Sequence, residues 1–181
     1  GVRFANGEVI HGDLVMNCAG PWADRLAALA GRKLPLAPTL GFIVRVSGVP
    51  EGIIGRVVHA PRVHMRPDGD GLVALHHSEA DAAITAGEKP WDWAREMIER
   101  FKHYVPEAKD ARLSRWTVAT RPIPADGRTS AGLLPSLSGY GEIVTHSAIT
   151  MGALLPKLVA DEIITGQPDP LLATFRPERF G

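Results

Sequence analysis

Several features that define particular protein classes are absent from this sequence. Cys18 is the only cysteine, which excludes an internal disulfide framework and any metal site that needs several cysteines. No apolar run reaches the ~20 residues with which a helix spans a bilayer. We therefore expect a protein with no integral membrane segment, in a reducing, cytoplasmic setting.

An excess of charge of one sign is also lacking. The 181 residues include 20 basic and 20 acidic side chains, so the formal net charge is zero. Nothing in the composition therefore attracts nucleic acid or an anionic membrane surface. The hydrophobic share of 45% is that of an ordinary globular protein, and the length suits one domain or one domain plus part of another. We expect no nucleic-acid partner, and the composition leaves the oligomeric state open.

The first 31 residues predict a hairpin, a buried strand and a helix. Asn6-Gly7 lies between two short apolar segments and is a strong signal for a hairpin turn. A buried strand is predicted over residues 13–20, where an apolar run ends at a glycine. Pro21 suits the first position of a helix over residues 21–30, and Gly31 suits its C-terminal end. Such a turn brings backbone close to a ligand at the carboxyl end of the strand, although an ordinary strand–helix turn has the same pattern.

The middle of the chain has the pattern of an antiparallel sheet with one amphipathic helix. Phe42, Val44 and Val46 alternate with Ile43, Arg45 and Ser47, as in a half-buried strand. Further strands are predicted over residues 55–60, 63–66, 72–77 and 112–120, a loop over 78–89, and a helix over 91–105.

Residues 121–166 combine a turn-rich loop, a buried strand and a helix. The strand ends near Thr145, and a tight turn over residues 146–152 leads into a helix over 154–166. The start of a helix presents backbone N–H groups without intrahelical partners, together with the positive end of the helix dipole. This arrangement favours an anion. Ser147 or Thr150 is expected to cap the helix or to donate a hydrogen bond to a ligand.

Four segments of the chain resemble motifs of the FAD-dependent D-amino-acid oxidase-like family. They are the turn Asn17–Trp22, the segment that begins at Arg121 and includes Pro124, Asp126, Gly127 and Gly132, the turn His146–Gly152, and the terminal segment Phe175–Phe180. A dinucleotide-binding domain normally begins with a Gly-x-Gly-x-x-Gly turn, and that motif is absent here. Residues 1–20 resemble the far end of such a domain instead.

The resemblance implies an FAD-dependent oxidoreductase of the α/β class, or α+β by a strict count. Residues 1–34 and 121–181 would form a partial FAD-binding domain, and residues 35–120 an antiparallel-sheet substrate-binding domain. The implied reaction oxidises the C–N or C–O carbon of a small amino or hydroxy acid by hydride transfer to flavin.

The same resemblance assigns roles to individual residues. Arg121 would hold the substrate carboxylate through two parallel hydrogen bonds, which the planar guanidinium suits. Asp126, Gly127 and Gly132 would shape the loop beside the flavin. Contacts to FAD are expected from Ala19, Gly20, Trp22, His146, Ser147, Ala148, Ile149 and Thr150. From the residues alone, a surface arginine and plain strand–helix connections remain alternatives.

No metal site is expected from the seven histidines. His76 and His77 are expected on opposite faces of one strand, where they cannot share a metal ion, although one of them could line the substrate cavity. Two other functions stay open. The chain could be a non-catalytic fragment or binding module that cannot hold FAD by itself, or a structural module that reuses the fold.

Overall fold

A computed structural model describes every residue from Gly1 to Gly181. The strands are β1 (Val2–Arg3), β2 (Val9–Ile10), β3 (Val15–Asn17), β4 (Leu40–Ser47), β5 (Val58–Ala60), β6 (Val63–Pro67), β7 (Val73–His76), β8 (Arg112–Thr120), β9 (Ser130–Leu133) and β10 (Tyr140–Val144). The α-helices are α1 (Ala23–Leu29), α2 (Ser78–Thr85), α3 (Pro90–Tyr104), α4 (Ala148–Met151) and α5 (Leu154–Thr165). Short 3-10 helices lie at Gly20–Trp22, Pro106–Ala108, Pro170–Phe175 and Pro177–Phe180. None of the helices combines the length and apolar character that crossing a membrane requires.

The chain divides into two compact units. Unit 1 consists of Gly1–Ala37 and Arg121–Gly181, and unit 2 consists of Pro38–Thr120. Helices and strands are mixed, and most strand pairs are antiparallel, which confirms the predicted fold class. Because unit 1 is built from both ends of the chain, its sheet joins strands far apart in the sequence.

Unit 1 contains the hairpin β1–β2 and a three-stranded sheet in the order β3-β10-β9. The predicted hairpin is confirmed: Gly7 has a φ of +88°, and the Phe4 amide donates to the Glu8 carbonyl at 2.8 Å. In the sheet, β10 pairs with β3 in parallel and with β9 in antiparallel orientation. A parallel pair needs a long connection between its strands, and here all of unit 2 lies within that connection.

Two helices of unit 1 bury apolar side chains around this sheet. Ala23 and Ala27 of α1 are fully buried in a cluster with Leu34, Leu134, Tyr140 and Val144. Helix α5 contributes a second cluster, which contains Ala131, Leu155, Leu158, Val159 and Leu172. The helix ends where predicted, since Gly166 has a φ of +70°, which favours glycine. Pro156 occupies the third position of α5, where a missing N–H costs no intrahelical bond.

Unit 2 is a five-stranded antiparallel sheet, in the order β5-β6-β7-β4-β8, with α2 and α3 on one face. Phe42, Val44 and Val46 are fully buried on that face, as their alternation predicted. Helix α3 packs Met97 and Phe101 against them. The opposite face of the sheet carries the intervening residues of each strand, many of them polar.

The loop predicted over residues 78–89 is wrong, because Ser78–Thr85 forms α2. Ala80 and Ile84 of this helix pack into the core of unit 2. Asp81 is also buried, and its carboxylate accepts a hydrogen bond from the Phe42 amide at 2.7 Å. A charged residue on the buried side interrupts the apolar stripe from which a helix is normally predicted.

Candidate functional site

The parallel strands β3 and β10 bring two predicted ligand-binding turns to the same edge of the unit 1 sheet. Their register places Val15 opposite Tyr140 and Asn17 opposite Glu142. Neighbouring parallel strands end at the same edge, where ligands of α/β proteins bind. The turn after β3 contains Ala19, Gly20 and Trp22, and the turn after β10 contains residues 146–150. The fold thus unites segments separated by more than a hundred residues.

Asn17 holds the first of these turns in place. Its side-chain amide donates to the Ala23 carbonyl at 2.8 Å, and its amide oxygen accepts from the Ala19 backbone at 3.3 Å. Gly20 has a φ of +56°, and a Cβ built on it would have no atom within 4 Å. Trp22 is 60% exposed. The turn therefore offers an open backbone position beside an unpacked indole ring.

Hydrogen bonds of two threonines hold the second turn in place. Thr129 donates to the Thr145 hydroxyl at 2.9 Å, and the Thr145 hydroxyl accepts from the Ser147 amide at 3.1 Å. The side chains of His146 and Ser147 face one another, with Oγ and Nε2 3.2 Å apart. Ile149 is 98% exposed, the most open large apolar side chain of the chain.

The turn leads into α4, which has only four residues, before α5 begins at Leu154. Ser147 occupies the N-cap position of α4 but makes no capping hydrogen bond with its side chain. The alternative expected for Ser147 or Thr150, a hydrogen bond to a ligand, stays a prediction. The backbone N–H groups at the start of α4 lack intrahelical partners, as at any helix start. Because α4 is so short, these N–H groups rather than a long helix dipole are what the turn can offer to negative charge.

A buried polar network lies directly beneath the two turns. Glu142 is fully buried, accepts from Ser130 Oγ at 2.6 Å and from the Tyr140 hydroxyl at 3.0 Å, and faces Arg32 Nη2 at 3.4 Å. Arg32 also donates to the carbonyls of Pro177 and Gly181. Burial raises the pKa of Tyr140 to about 12, and the neighbouring Glu142 carboxylate adds to the shift. The network ties β3, β9, β10 and the C-terminal segment into one support.

Arg121 lies directly after β8, at the start of the returning segment, and is half-buried. Hydrogen bonds hold its loop to the first segment of unit 1: the Ala37 amide donates to the Ile123 carbonyl at 2.7 Å, and the Ala125 amide to the Pro35 carbonyl at 3.0 Å. The loop therefore has a defined backbone at the point where Arg121 enters unit 1.

Asp126 and Gly132 have structural roles in the same returning segment. Arg179 donates to both carboxylate oxygens of Asp126, at 2.7 and 3.2 Å, and these bonds lower the pKa of that carboxyl. Gly132 has a φ of +130°, and a Cβ there would collide with the guanidinium of Arg176. Arg176 in turn donates to Glu162 at 2.6 Å and to the Leu133 carbonyl at 3.0 Å.

In unit 2, the face of the sheet away from the helices carries a row of histidines. His59 lies opposite His64, and His64 lies opposite His76. The expectation that His76 and His77 point to opposite sides is wrong, since both rings lie near His64, with centroids 6.0 and 5.4 Å away. Strand β7 ends at His76, so the alternation of a strand does not extend to His77. No group of three or more histidine, cysteine, aspartate or glutamate side chains is placed to hold a metal ion.

This polar face was only partly recognised in the sequence. Val63 and Met65 are buried, whereas His64 and Arg66, which alternate with them, face the other way. The period-two pattern of β6 therefore contained the signal for a basic face. Burial, followed by the nearby His59, His77 and His76, lowers the pKa of His64.

The chain is similar to known proteins in sequence and in fold. The chain is 29% identical to the hydrogen cyanide synthase subunit HcnC of Pseudomonas aeruginosa, over 98% of this chain and 44% of that protein. The crystal structure of iminodiacetate oxidase from Chelativorans sp. BNC1 matches with a TM-score of 0.72 at 21% identity, over 96% of this chain and 48% of that one. L-proline dehydrogenase from P. horikoshii matches with a TM-score of 0.76 at 19% identity, over 92% of this chain and 46% of that one.

The chain thus spans about half the length of the proteins that it matches. The two structural matches, both below 25% identity, show a common fold. Residues 1–162 match the DAO family, described as FAD dependent oxidoreductase. This chain belongs to the DAO family of FAD-dependent oxidoreductases.

Proposed function

We propose that this chain forms the cofactor edge and substrate sheet of an enzyme that oxidises the C–N or C–O carbon of a small amino or hydroxy acid by hydride transfer to FAD. The observation that carries the proposal is the parallel β3–β10 pair, which places two family motifs at one sheet edge. The names of two structural relatives, iminodiacetate oxidase and L-proline dehydrogenase, support an amino acid as substrate.

The residues at this edge suit a flavin. Gly20 leaves open space where a side chain would stand, and the exposed Trp22 and Ile149 offer apolar surface to a planar ring. The backbone N–H groups of Ala148, Ile149 and Thr150 point out of the first turn of α4 and suit a ring that carries negative charge. We assign the cofactor contacts to these residues together with Ala19, His146 and Ser147.

Arg121 is assigned to the carboxylate of the substrate. A guanidinium presents parallel donors in one plane, which fixes both the position and the orientation of a carboxylate. The loop from Arg121 is held by backbone hydrogen bonds at Ile123 and Ala125, so the residue enters unit 1 from a fixed backbone. Orientation of a substrate beside the cofactor is a large part of what a protein contributes to cofactor chemistry.

The domain assignment follows from these roles. We assign residues 1–34 and 121–181 to a partial FAD-binding domain and residues 35–120 to a substrate-binding domain. A small-molecule carboxylate is the expected partner, and the cytoplasmic location stays a prediction.

A second candidate is a chain that contributes to such an enzyme without holding FAD by itself. This candidate is favoured because the chain corresponds to only 44% of the length of the cyanide synthase subunit. The Gly-x-Gly-x-x-Gly turn, which supplies close backbone contacts to the pyrophosphate of a dinucleotide, is not in this sequence.

A flavin titration separates the two candidates. The purified chain is titrated with FAD, and bound flavin is followed by its absorption and by quenching of tryptophan fluorescence. Saturable binding, followed by loss of the oxidised-flavin absorption when an amino or hydroxy acid is added without oxygen, is the expected result. A chain that never binds FAD would support the second candidate. A chain that binds FAD but is not reduced by any acid of the panel would contradict the proposed reaction.

A further inference from the structure

A pocket of about 320 Å³ lies on the sheet face of unit 2 that the helices leave open. Its polar lining consists of His59, His64, His76 and Arg66, and its remaining lining residues are apolar. No acidic side chain lines it. The volume is at the lower end of the range for small-molecule sites, which suits a compact ligand.

The sheet register explains why these side chains converge. His59, His64 and His76 occupy opposing positions on three neighbouring strands, and the rings of His59 and His64 lie 4.4 Å apart. Arg66 faces the same side as His64, two residues along β6. Ala74 lies opposite Arg66, and its small side chain leaves space unfilled beside Arg66. The pocket is therefore built into the strands and not into a loose loop.

Several hydrogen-bond donors of this pocket are not used within the chain. Arg66 donates through Nη1 to the Pro67 carbonyl at 3.1 Å and to Asp68 at 2.6 Å. A guanidinium has five N–H donors, so Nε and Nη2 of Arg66 remain for a ligand. His64 Nδ1 is buried and makes no hydrogen bond. A buried polar atom without a partner is costly, and a ligand that bonds to it gains accordingly.

The charges around the pocket favour an anion. Arg45 and Arg66 share one carboxylate, Asp68, so one positive charge stays uncompensated there. Although partial burial would raise it, the hydrogen bonds from Arg45 and Arg66 lower the pKa of Asp68. His76 faces Asp81 at 2.9 Å, and His77 faces Glu79 at 3.8 Å. His59 and His64 have no acidic partner of this kind, and each would gain from a nearby negative charge.

We propose that this pocket binds a small organic acid through its carboxylate group. The uncompensated arginine supplies a permanent positive charge, and the histidine rings supply N–H donors. The apolar remainder of the lining accommodates the carbon chain of the acid.

The test follows the histidine rings of the purified chain by NMR during titration with succinate. Succinamide, which has the same shape without charge, is the matched neutral probe. Succinate should shift the rings of His59, His64 and His76 in a saturable way and raise the pKa of His64, because a bound anion stabilises the imidazolium. Succinamide should leave the same resonances in place. Equal responses to the two probes, or equal shifts at all histidines, would overturn the proposal.

Variants locate the binding site. Arg66→Gln should weaken succinate binding by about tenfold or more, since a charge-assisted hydrogen bond is lost. His64→Gln should weaken it while preserving side-chain volume, and His103→Gln, at an exposed position of α3, should have no effect. Thermal unfolding of each variant confirms that it folds. A folded Arg66→Gln protein that binds succinate as tightly as the parent contradicts the proposal.

The same samples distinguish failure of this proposal from failure of the proposed function. Selective histidine shifts with succinate in a chain that does not bind FAD would support the pocket and count against the flavin. Flavin binding and reduction without selective histidine shifts would support the oxidoreductase and overturn the pocket.

Discussion

Asn17 and Glu142 lie opposite each other in the parallel strands β3 and β10, and the Tyr140 hydroxyl joins their side chains. Asn17 donates to the hydroxyl oxygen at 2.9 Å, and the hydroxyl donates to Glu142 at 3.0 Å. Asn17 also shapes the turn that contains Ala19. The position of the first turn at the proposed cofactor edge thus depends on a buried polar network and not on apolar packing alone.

Tyr140→Phe removes the central hydroxyl of this network. The substitution leaves buried groups of Asn17 and Glu142 with fewer partners, so we expect a loss of roughly 1–3 kcal/mol in the free energy of unfolding at neutral pH. Chemical denaturation of the two proteins measures this difference. A variant as stable as the parent would show that the network contributes nothing to folding.

The pH dependence of the same pair gives a second prediction. The pKa of Tyr140 is about 12 in the folded chain, above the ordinary value of 10.0, so folding favours the protonated phenol. Its contribution is complete below pH 10 and is lost as the pH rises through about 12. The stability advantage over Tyr140→Phe should therefore shrink across this window, by roughly 2–3 kcal/mol in total. Tyrosinate absorption should show a titration step at a pH of about 12 that is missing from Tyr140→Phe. A parent protein without this step would contradict the prediction.

Gly132→Ala tests the packing of the returning segment. The new Cβ would displace the guanidinium of Arg176 from Glu162, and the backbone there has a φ of +130°. Gly127→Ala is the matched control, because Gly127 also has a positive φ, +78°, but open space around it. We expect the control to lose about 1 kcal/mol and Gly132→Ala to lose about 1–3 kcal/mol more. Equal unfolding free energies for both variants would mean that the collision with Arg176 does not destabilise the fold.

Arg121→Ala tests the proposed carboxylate contact in the FAD-loaded enzyme. Loss of charge-assisted hydrogen bonds should raise KM by about 10- to 100-fold while flavin content stays unchanged. Arg121→Lys keeps the charge but loses the paired hydrogen bonds, so its KM should lie between those of the parent and of Arg121→Ala. Steady-state kinetics and the flavin-to-protein ratio provide the readouts. Unchanged turnover at low substrate concentration would remove Arg121 from the substrate site.

Local patterns in the sequence were sufficient for much of the fold. The alternation of Phe42, Val44 and Val46 identified β4, and the amphipathic pattern over residues 91–105 identified α3 as Pro90–Tyr104. The strand predicted over residues 55–60 is shorter, and only Val58–Ala60 pairs with β6. Each of these elements is determined by the spacing of apolar residues within one continuous segment, so the sequence alone can predict it.

Features that depend on distant partners were not predictable in the same way. Asp81 is buried because the Phe42 amide, from another element, bonds to its carboxylate. Glu142 stands in a strand recognised by its apolar neighbours, and its burial depends on Arg32 and Ser130. In both cases a charged side chain breaks a local pattern, and the compensating partner lies elsewhere in the chain. The basic pocket has the same origin, since His59, His64 and His76 meet only through strand pairing.

The central claim, that the turns after β3 and β10 hold a flavin, is tested most directly by a charge placed at Ile149. This side chain is 98% exposed, so Ile149→Asp should fold normally, and its carboxylate would stand where the flavin is proposed to lie. Leu171→Asp is the control, since Leu171 is 65% exposed and belongs to another part of unit 1. FAD titration of the three proteins should show binding weakened by about tenfold or more in Ile149→Asp and unchanged in Leu171→Asp. Equal FAD affinity in all three proteins would contradict the account.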